Sequence, residues 1–288
     1  MPQRTTQAVQ PPEATEPAPP HHSDEILDRQ TDQIVERAAQ VGQERLDRSP
    51  ADILITGFLG GVDVSLGALA AMLVVGAALQ AAPGIGLYGA LALGGLVFPV
   101  GFLFVILGRS ELFTENFLIP VVSVLKREET IGSLLTLWLL SLIGNLVGCA
   151  TIASLINIPQ AIGAPILAGY KAYSQYKLQL PPVGVLGSAI LAGLIMTVLT
   201  WQVVAVRHPV GKLLIIWAAG YLVFATNVSH VVVTAAIVFA DFVPLGYSVP
   251  EVLRWLGIAT AGNLLGGVGF VTFFRLAQVR ERKRSVES

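Results

Sequence analysis

The chain has 288 residues and a formal net charge of -1; 53% of its residues are hydrophobic and only 13% are charged. That composition excludes an ordinary soluble domain. The single cysteine, Cys149, excludes an internal disulfide.

Charge is concentrated at the ends. Residues 1–23, rich in Pro, Thr, Gln and Glu, are expected to be disordered. Residues 24–48 read as an amphipathic, solvated cytoplasmic helix: Ser23 can cap it, and Ile26, Leu27, Ile34, Val35, Ala38 and Val41 recur at helical spacing. Residues 49–276 form a transmembrane domain. Within it, stretches 64–108, 130–170, 178–206, 213–240 and 255–274 contain no Asp, Glu, Lys or Arg. Crossing about 30 Å of hydrocarbon takes about 20 apolar helical residues. Six spans are predicted, near 51–80, 87–108, 131–157, 183–206, 211–226 and 252–275, with shorter apolar pieces at 112–125 and 230–240. Residues 277–288 form a basic tail, read as a topology anchor and not as a nucleic-acid patch. With six crossings, Arg45, Arg48, Lys126, Arg127, Arg207, Lys212 and the tail share one side, against Lys171, Lys177 and Arg254 on the other. The positive-inside rule then makes both termini cytoplasmic in a multi-pass inner-membrane protein.

A polar island interrupts the apolar pattern at Gly108-Arg109-Ser110-Glu111-Leu112-Phe113-Thr114-Glu115-Asn116. Lipid tolerates such backbone at depth only where protein or a water-filled cavity covers it. A second interruption, Ala225-Thr226-Asn227-Val228-Ser229-His230, follows the fifth span. Gly144-Asn145-Leu146-Val147-Gly148 in the third span matches Gly262-Asn263-Leu264-Leu265-Gly266 in the sixth. Three spans per half require the halves to be inverted. Broken second and fifth helices in inverted three-helix repeats point to a binding or permeation site at the midplane.

The segment from Gly108 to Asn116 resembles the signature of the formate/nitrite transporter family. His230 resembles that family's central histidine, and the two Gly-Asn-Leu helices fit its third and sixth spans. The resemblance covers residues 50–276; the long charged N-terminus points to a less typical subgroup. It implies an all-α, aquaporin-like six-helix bundle assembled as a homopentamer, with one pore per subunit for a small monovalent anion or its conjugate acid.

The resemblance also assigns roles. Thr114 takes the place of the pore-facing threonine, and it can equally cap a half-helix. His230 could hydrogen-bond or protonate a weak-acid anion. Phe98, Phe102 and Leu112, with Phe224, stand where apolar gates would strip water from a permeant. Lys177 matches a vestibule lysine that would concentrate anions; Lys171 is the weaker candidate, and a snorkelling lysine is the plainer reading of either. Glu111, Glu115 and Asn116 are expected to fix the loop, with Arg109 pairing with Glu111 or Glu115 or lying at a subunit interface. Asn145 and Asn263 mark the repeat helices. Asp63, in the first span, could face the bundle or line an entrance.

Ser229, Thr234 and Gly193 depart from the family pattern, which has an acidic residue, an asparagine and an asparagine there; these departures bear on the permeant and not on the fold. No nucleophile–base pair, cofactor loop or metal-ligand spacing appears, so no enzyme, cofactor or metal is expected. The alternatives are a neutral-solute or water pore, and a non-transporting scaffold acting through its N-terminal arm.

Overall fold

The computed structural model describes residues 22–126, 129–241, 244–278 and 280, with side chains from residue 32 onward. Most of the segment expected to be disordered, most of the basic tail and Arg127 therefore lie outside the described residues. Among the described residues the secondary structure is entirely helical.

The chain opens with α1 (His22–Leu46) and enters α2 (Pro50–Ala81). Ser49 caps α2, its hydroxyl accepting from the Asp52 N–H at 3.2 Å, and Pro50 takes the first turn, where no N–H is needed. The second predicted span is broken twice. Helix α3 (Gly86–Gly94) stops at a turn over residues 95–98, and Pro99 starts α4 (Pro99–Gly108). After α4 the polar island forms a short 3₁₀ turn and α5 (Ile119–Leu125).

Helix α6 (Ile131–Ile156) is capped by the Thr130 hydroxyl, which accepts from the Ser133 N–H at 3.1 Å. The second half runs through α7 (Ala164–Leu178), α8 (Pro182–Ala205), α9 (Pro209–Ala225), α10 (Val231–Asp241) and α11 (Val249–Leu264). The last span continues as a π-helical stretch, Leu265–Thr272. Among the described residues five helical segments are long and apolar enough to cross a membrane, and the 17-residue α9 is a shorter apolar helix. Large apolar side chains such as Ile55, Leu139, Leu214 and Phe273 stand exposed on the outside, where a bilayer would cover them.

Besides the turn at 95–98, two features differ from the sequence reading. Residues 164–178, where no element was expected, form α7, which turns Tyr170, Tyr173, Ser174 and Lys177 inward. Helix α1, read as solvated, is docked in its C-terminal half. Val35, Ala38 and Ala39 pack with Ile119 and Val122 of α5 and with Trp201 and Val204 of α8. Arg37 donates to the Val204 carbonyl at 3.0 Å, and Ser123 donates to the Ala39 carbonyl at 2.8 Å. A Cβ on Gly42 would strike the Ser123 hydroxyl and the Ile119 carbonyl, so the small residues of α1 permit the close approach.

Candidate functional site

Two buried asparagines hold the two chain breaks. Asn145 Oδ1 accepts from the Phe113 N–H at 2.9 Å, and its Nδ2 donates to the carbonyls of Gly57 at 2.7 Å and Glu111 at 2.8 Å. Asn263 repeats this in the other half: Oδ1 accepts from the Val231 N–H at 2.9 Å, and Nδ2 donates to Ala189 at 2.8 Å and Ser229 at 3.0 Å. A primary amide suits this task because it accepts and donates at once, satisfying backbone groups that no helix can pair. The correspondence sets a register. Phe113 matches Val231, Glu111 matches Ser229, and Arg109 matches Asn227; the last two both adopt left-handed backbone, at φ 57° and 56°.

Close glycine contacts follow the same register. A Cβ on Gly61 would run into the Asn145 carbonyl, and one on Gly193 into the Asn263 carbonyl. Glycine at the fourth-span position is thereby explained by helix packing.

The breaks meet at Thr114 and His230. Both are fully buried, and Thr114 Oγ1 lies 2.8 Å from His230 Nε2. His230 Nδ1 accepts from the Val233 N–H at 3.1 Å. That bond leaves the ring proton on Nε2, which therefore donates towards Thr114.

On one side of this pair stands a file of aromatic rings. Phe102 is 6.1 Å from the His230 ring, Phe98 is 5.2 Å from Phe102, and Phe224 stacks on Phe98 at 4.9 Å. Tyr173 of α7 continues the file, 6.3 Å from Phe224, with its hydroxyl 3.3 Å from Thr234. Leu112 is also fully buried, next to the loop residue Glu111.

Lys177 lies beyond the rings and is wholly covered. Its ammonium donates to the Asn227 carbonyl and, at 3.3 Å, to the Ser229 hydroxyl, and sits 5.6 Å from the Tyr173 ring centre. Ser229 in turn is bonded to Ser188, 3.0 Å between hydroxyls. Burial, with no carboxylate partner among the described residues to offset it, pushes the Lys177 ammonium down to about 7. Lys171 stays on the surface.

The other end of the site is ionic. Arg48 pairs with Glu111 through a short contact, and Arg45 lies 3.5 Å from Glu111 and 3.8 Å from Glu115 while donating to Asn116 Oδ1 at 2.8 Å. The Asn116 carbonyl accepts from Trp138 Nε1 at 2.9 Å. The sequence offered Arg109 as a local partner of Glu111 or Glu115, or as a subunit-interface residue; the local pairing is not the one that forms. Arg45 of α1 and Arg48 of the α1–α2 connection pair with the loop's acids, and Arg109 is exposed and forms no ion pair among the described residues. Asp63 accepts from the Ser110 hydroxyl at 2.6 Å. A cavity of about 380 Å³ opens here, bounded by Arg45, Arg48 and Arg109, by Glu44, Glu111 and Glu115, and by the apolar Ile106 and Leu199.

Arg45, Arg48, Leu199 and Tyr173 were missed by motif reasoning. One signal was available: Arg45 and Lys177 each lie five residues before the proline that opens the next span, Pro50 and Pro182.

Two broken helices meeting in a membrane bundle, with a buried polar pair between an aromatic file and an ionic cavity, define a membrane transport protein. Residues 32–277 match the family model described as Formate/nitrite transporter, and the chain belongs to that family. Its members are transporters and channels, so the chain is not an enzyme. The chain is 28% identical over 267 residues to the transporter YrhG of Bacillus subtilis, covering 89% of this chain and 96% of that one. It is also 28% identical over 255 residues to the formate channel BtFdhC of Bacillus thuringiensis, covering 84% and 92%. A solved structure titled as a pentameric formate channel with formate bound superposes with a TM-score of 0.64 at 18% identity, over 79% of this chain and 96% of that one.

Proposed function

We propose that the chain forms a homopentamer in the inner membrane and passes a small monovalent anion of the formate or nitrite type, one pathway per subunit. The carrying observation is the Thr114–His230 contact, 2.8 Å long and fully buried, between the aromatic file and the ionic cavity. The pathway would run, in either direction, from the Lys177 side between Phe224, Phe98 and Phe102, where water is stripped, through the Nε2–H of His230 and the Thr114 hydroxyl, to the Leu112 side. Because the Val233 N–H occupies Nδ1, His230 is suited to donate a hydrogen bond; handing over its Nε2 proton would leave an anionic ring.

Two comparisons support the pentamer and permeant class: the pentameric formate channel neighbour and the formate channel relative. The orientation with α1 in the cytoplasm rests on charge. Arg207 bonds to Gln33 of α1 at 3.0 Å and Arg275 lies over Trp201 at 5.4 Å, so basic residues gather at the α1 end.

The test is flux of formate and nitrite into proteoliposomes holding purified protein. Transport is expected, with Thr114→Val and His230→Phe each slowing it at least tenfold, since a hydrogen bond to a charged group is worth about 1.5–3 kcal/mol. Absence of anion flux from folded wild-type protein overturns the proposal.

A further inference from the structure

The cavity at the α1 end contains three arginines in unequal situations. Arg45 and Arg48 are occupied by Glu111 and Glu115. Arg109 has no carboxylate within ion-pairing distance among the described residues, is exposed, and lines the cavity of about 380 Å³. Its backbone adds a second, independent observation. At φ 57° it sits in the left-handed region, which costs a side chain such as arginine about 1–2 kcal/mol and which asparagine tolerates better. The matching position in the other half is Asn227, at φ 56°. The fold thus accommodates asparagine in one half and keeps an arginine under strain in the other. In both halves the left-handed residue ends a helix, at the C-cap of α4 and just past that of α9, so what distinguishes this half is the arginine side chain itself.

We propose that Arg109 is the anion-recruiting group of this cavity, binding a small monovalent carboxylate or oxyanion at the mouth before it reaches Leu112 and the Thr114–His230 pair. The planar guanidinium matches such ions; Glu111 and Glu115 on the cavity wall are taken up by Arg45 and Arg48, Glu44 also borders the cavity, and Arg109 is its guanidinium without a carboxylate among the described residues. Arg45 and Arg48 cannot serve this way without giving up their carboxylates. The inference rests on the anion-transport reading above, and it adds a site that Lys177, at the far end, does not supply.

The experiment compares wild type, Arg109→Asn and Arg109→Lys as purified full-length protein in two assays. Formate flux into liposomes is measured at ionic strengths of roughly 10 and 150 mM, between which the screening length falls from about 30 to 8 Å. Arg109→Asn is expected to lower low-salt flux on the order of tenfold and to flatten the salt dependence, while Arg109→Lys keeps most of both. Thermal unfolding in detergent is then followed with and without formate and nitrite: the anions should raise the midpoint of wild type, and not that of Arg109→Asn. Asparagine suits the left-handed backbone, so the variant should fold. Unchanged flux and salt dependence in Arg109→Asn overturn the proposal, as does an anion-induced shift that survives the substitution. A wild-type protein without flux but with an Arg109-dependent shift retains the site and refutes the transport reading instead.

Discussion

Replacing Asn145 with alanine removes three hydrogen bonds, and they are unequal. The Gly57 carbonyl lies inside α2 and keeps its helical partner, so losing the side-chain bond there costs about 0.6 kcal/mol, the average for interhelical bonds in a membrane protein. The Phe113 N–H and the Glu111 carbonyl lie in the break and have Asn145 as their partner. Leaving each buried and unpaired costs about 1–3 kcal/mol. The sum is about 3–7 kcal/mol. Asn263→Ala should cost the same, because the Val231 N–H and the Ser229 carbonyl stand in the same position and Ala189 plays the part of Gly57. Chemical unfolding in detergent micelles, followed by the fluorescence of the four tryptophans, measures both. A loss below about 1 kcal/mol in either variant would refute the reasoning, since the freed backbone would then have found new partners and the asparagines would not be what holds the breaks.

Gly193→Ala should destabilise the protein by about 1–3 kcal/mol or prevent assembly, because the new Cβ meets the Asn263 carbonyl, while Gly257→Ala, with nothing within 4 Å, should be neutral or mildly stabilising; equal melting of the two variants would contradict the packing. Lys177 is charged in the folded protein only below about 7, whereas an unfolded lysine keeps its proton to about 10.4. The unfolded state therefore binds more protons across that window, so this residue's contribution to stability rises with pH there. Lys177→Met should accordingly gain less in melting temperature than wild type between about pH 7 and 9, and an identical gain would show that the ammonium is hydrated. Glu111→Gln removes the partner of Arg48 and Arg45 and should speed tryptic cleavage at Arg37 and Arg45 by loosening α1; unchanged cleavage would mean that the apolar contacts of Val35 and Ala38 hold the helix alone.

Much of the site was legible from pattern. The charge gaps marked the spans, and the polar island with its partner at His230 marked the breaks, because ionisable residues inside apolar runs must be covered. What pattern reading missed has a common cause. Helix α7 is short and only moderately apolar, with Tyr170, Tyr173, Ser174 and Lys177 on its inward face, so it carries no membrane-span signal. The turn at 95–98 is written in Gly94, Gly95 and Pro99, residues that also occur in continuous membrane helices. Partners were harder still. Arg109 was one local candidate for Glu111, but Arg48, sixty-three residues earlier, reaches it.

The sequence by itself determined that this chain spans a membrane, that two of its helices are interrupted, that its halves repeat, and which family it resembles, because hydropathy, helix breakers and motif spacing are properties of the chain read locally. Only the tertiary structure decided that Asn145 and Asn263 each tie down a break, that Val233 holds the proton of His230 on the nitrogen facing Thr114, and that α1 docks with Arg45, and Arg48 just after it, on Glu111. Those are choices among many possible donors and acceptors. In a buried, low-dielectric interior the chosen pairing is set by which groups the packing brings within about 3 Å and leaves no water to replace.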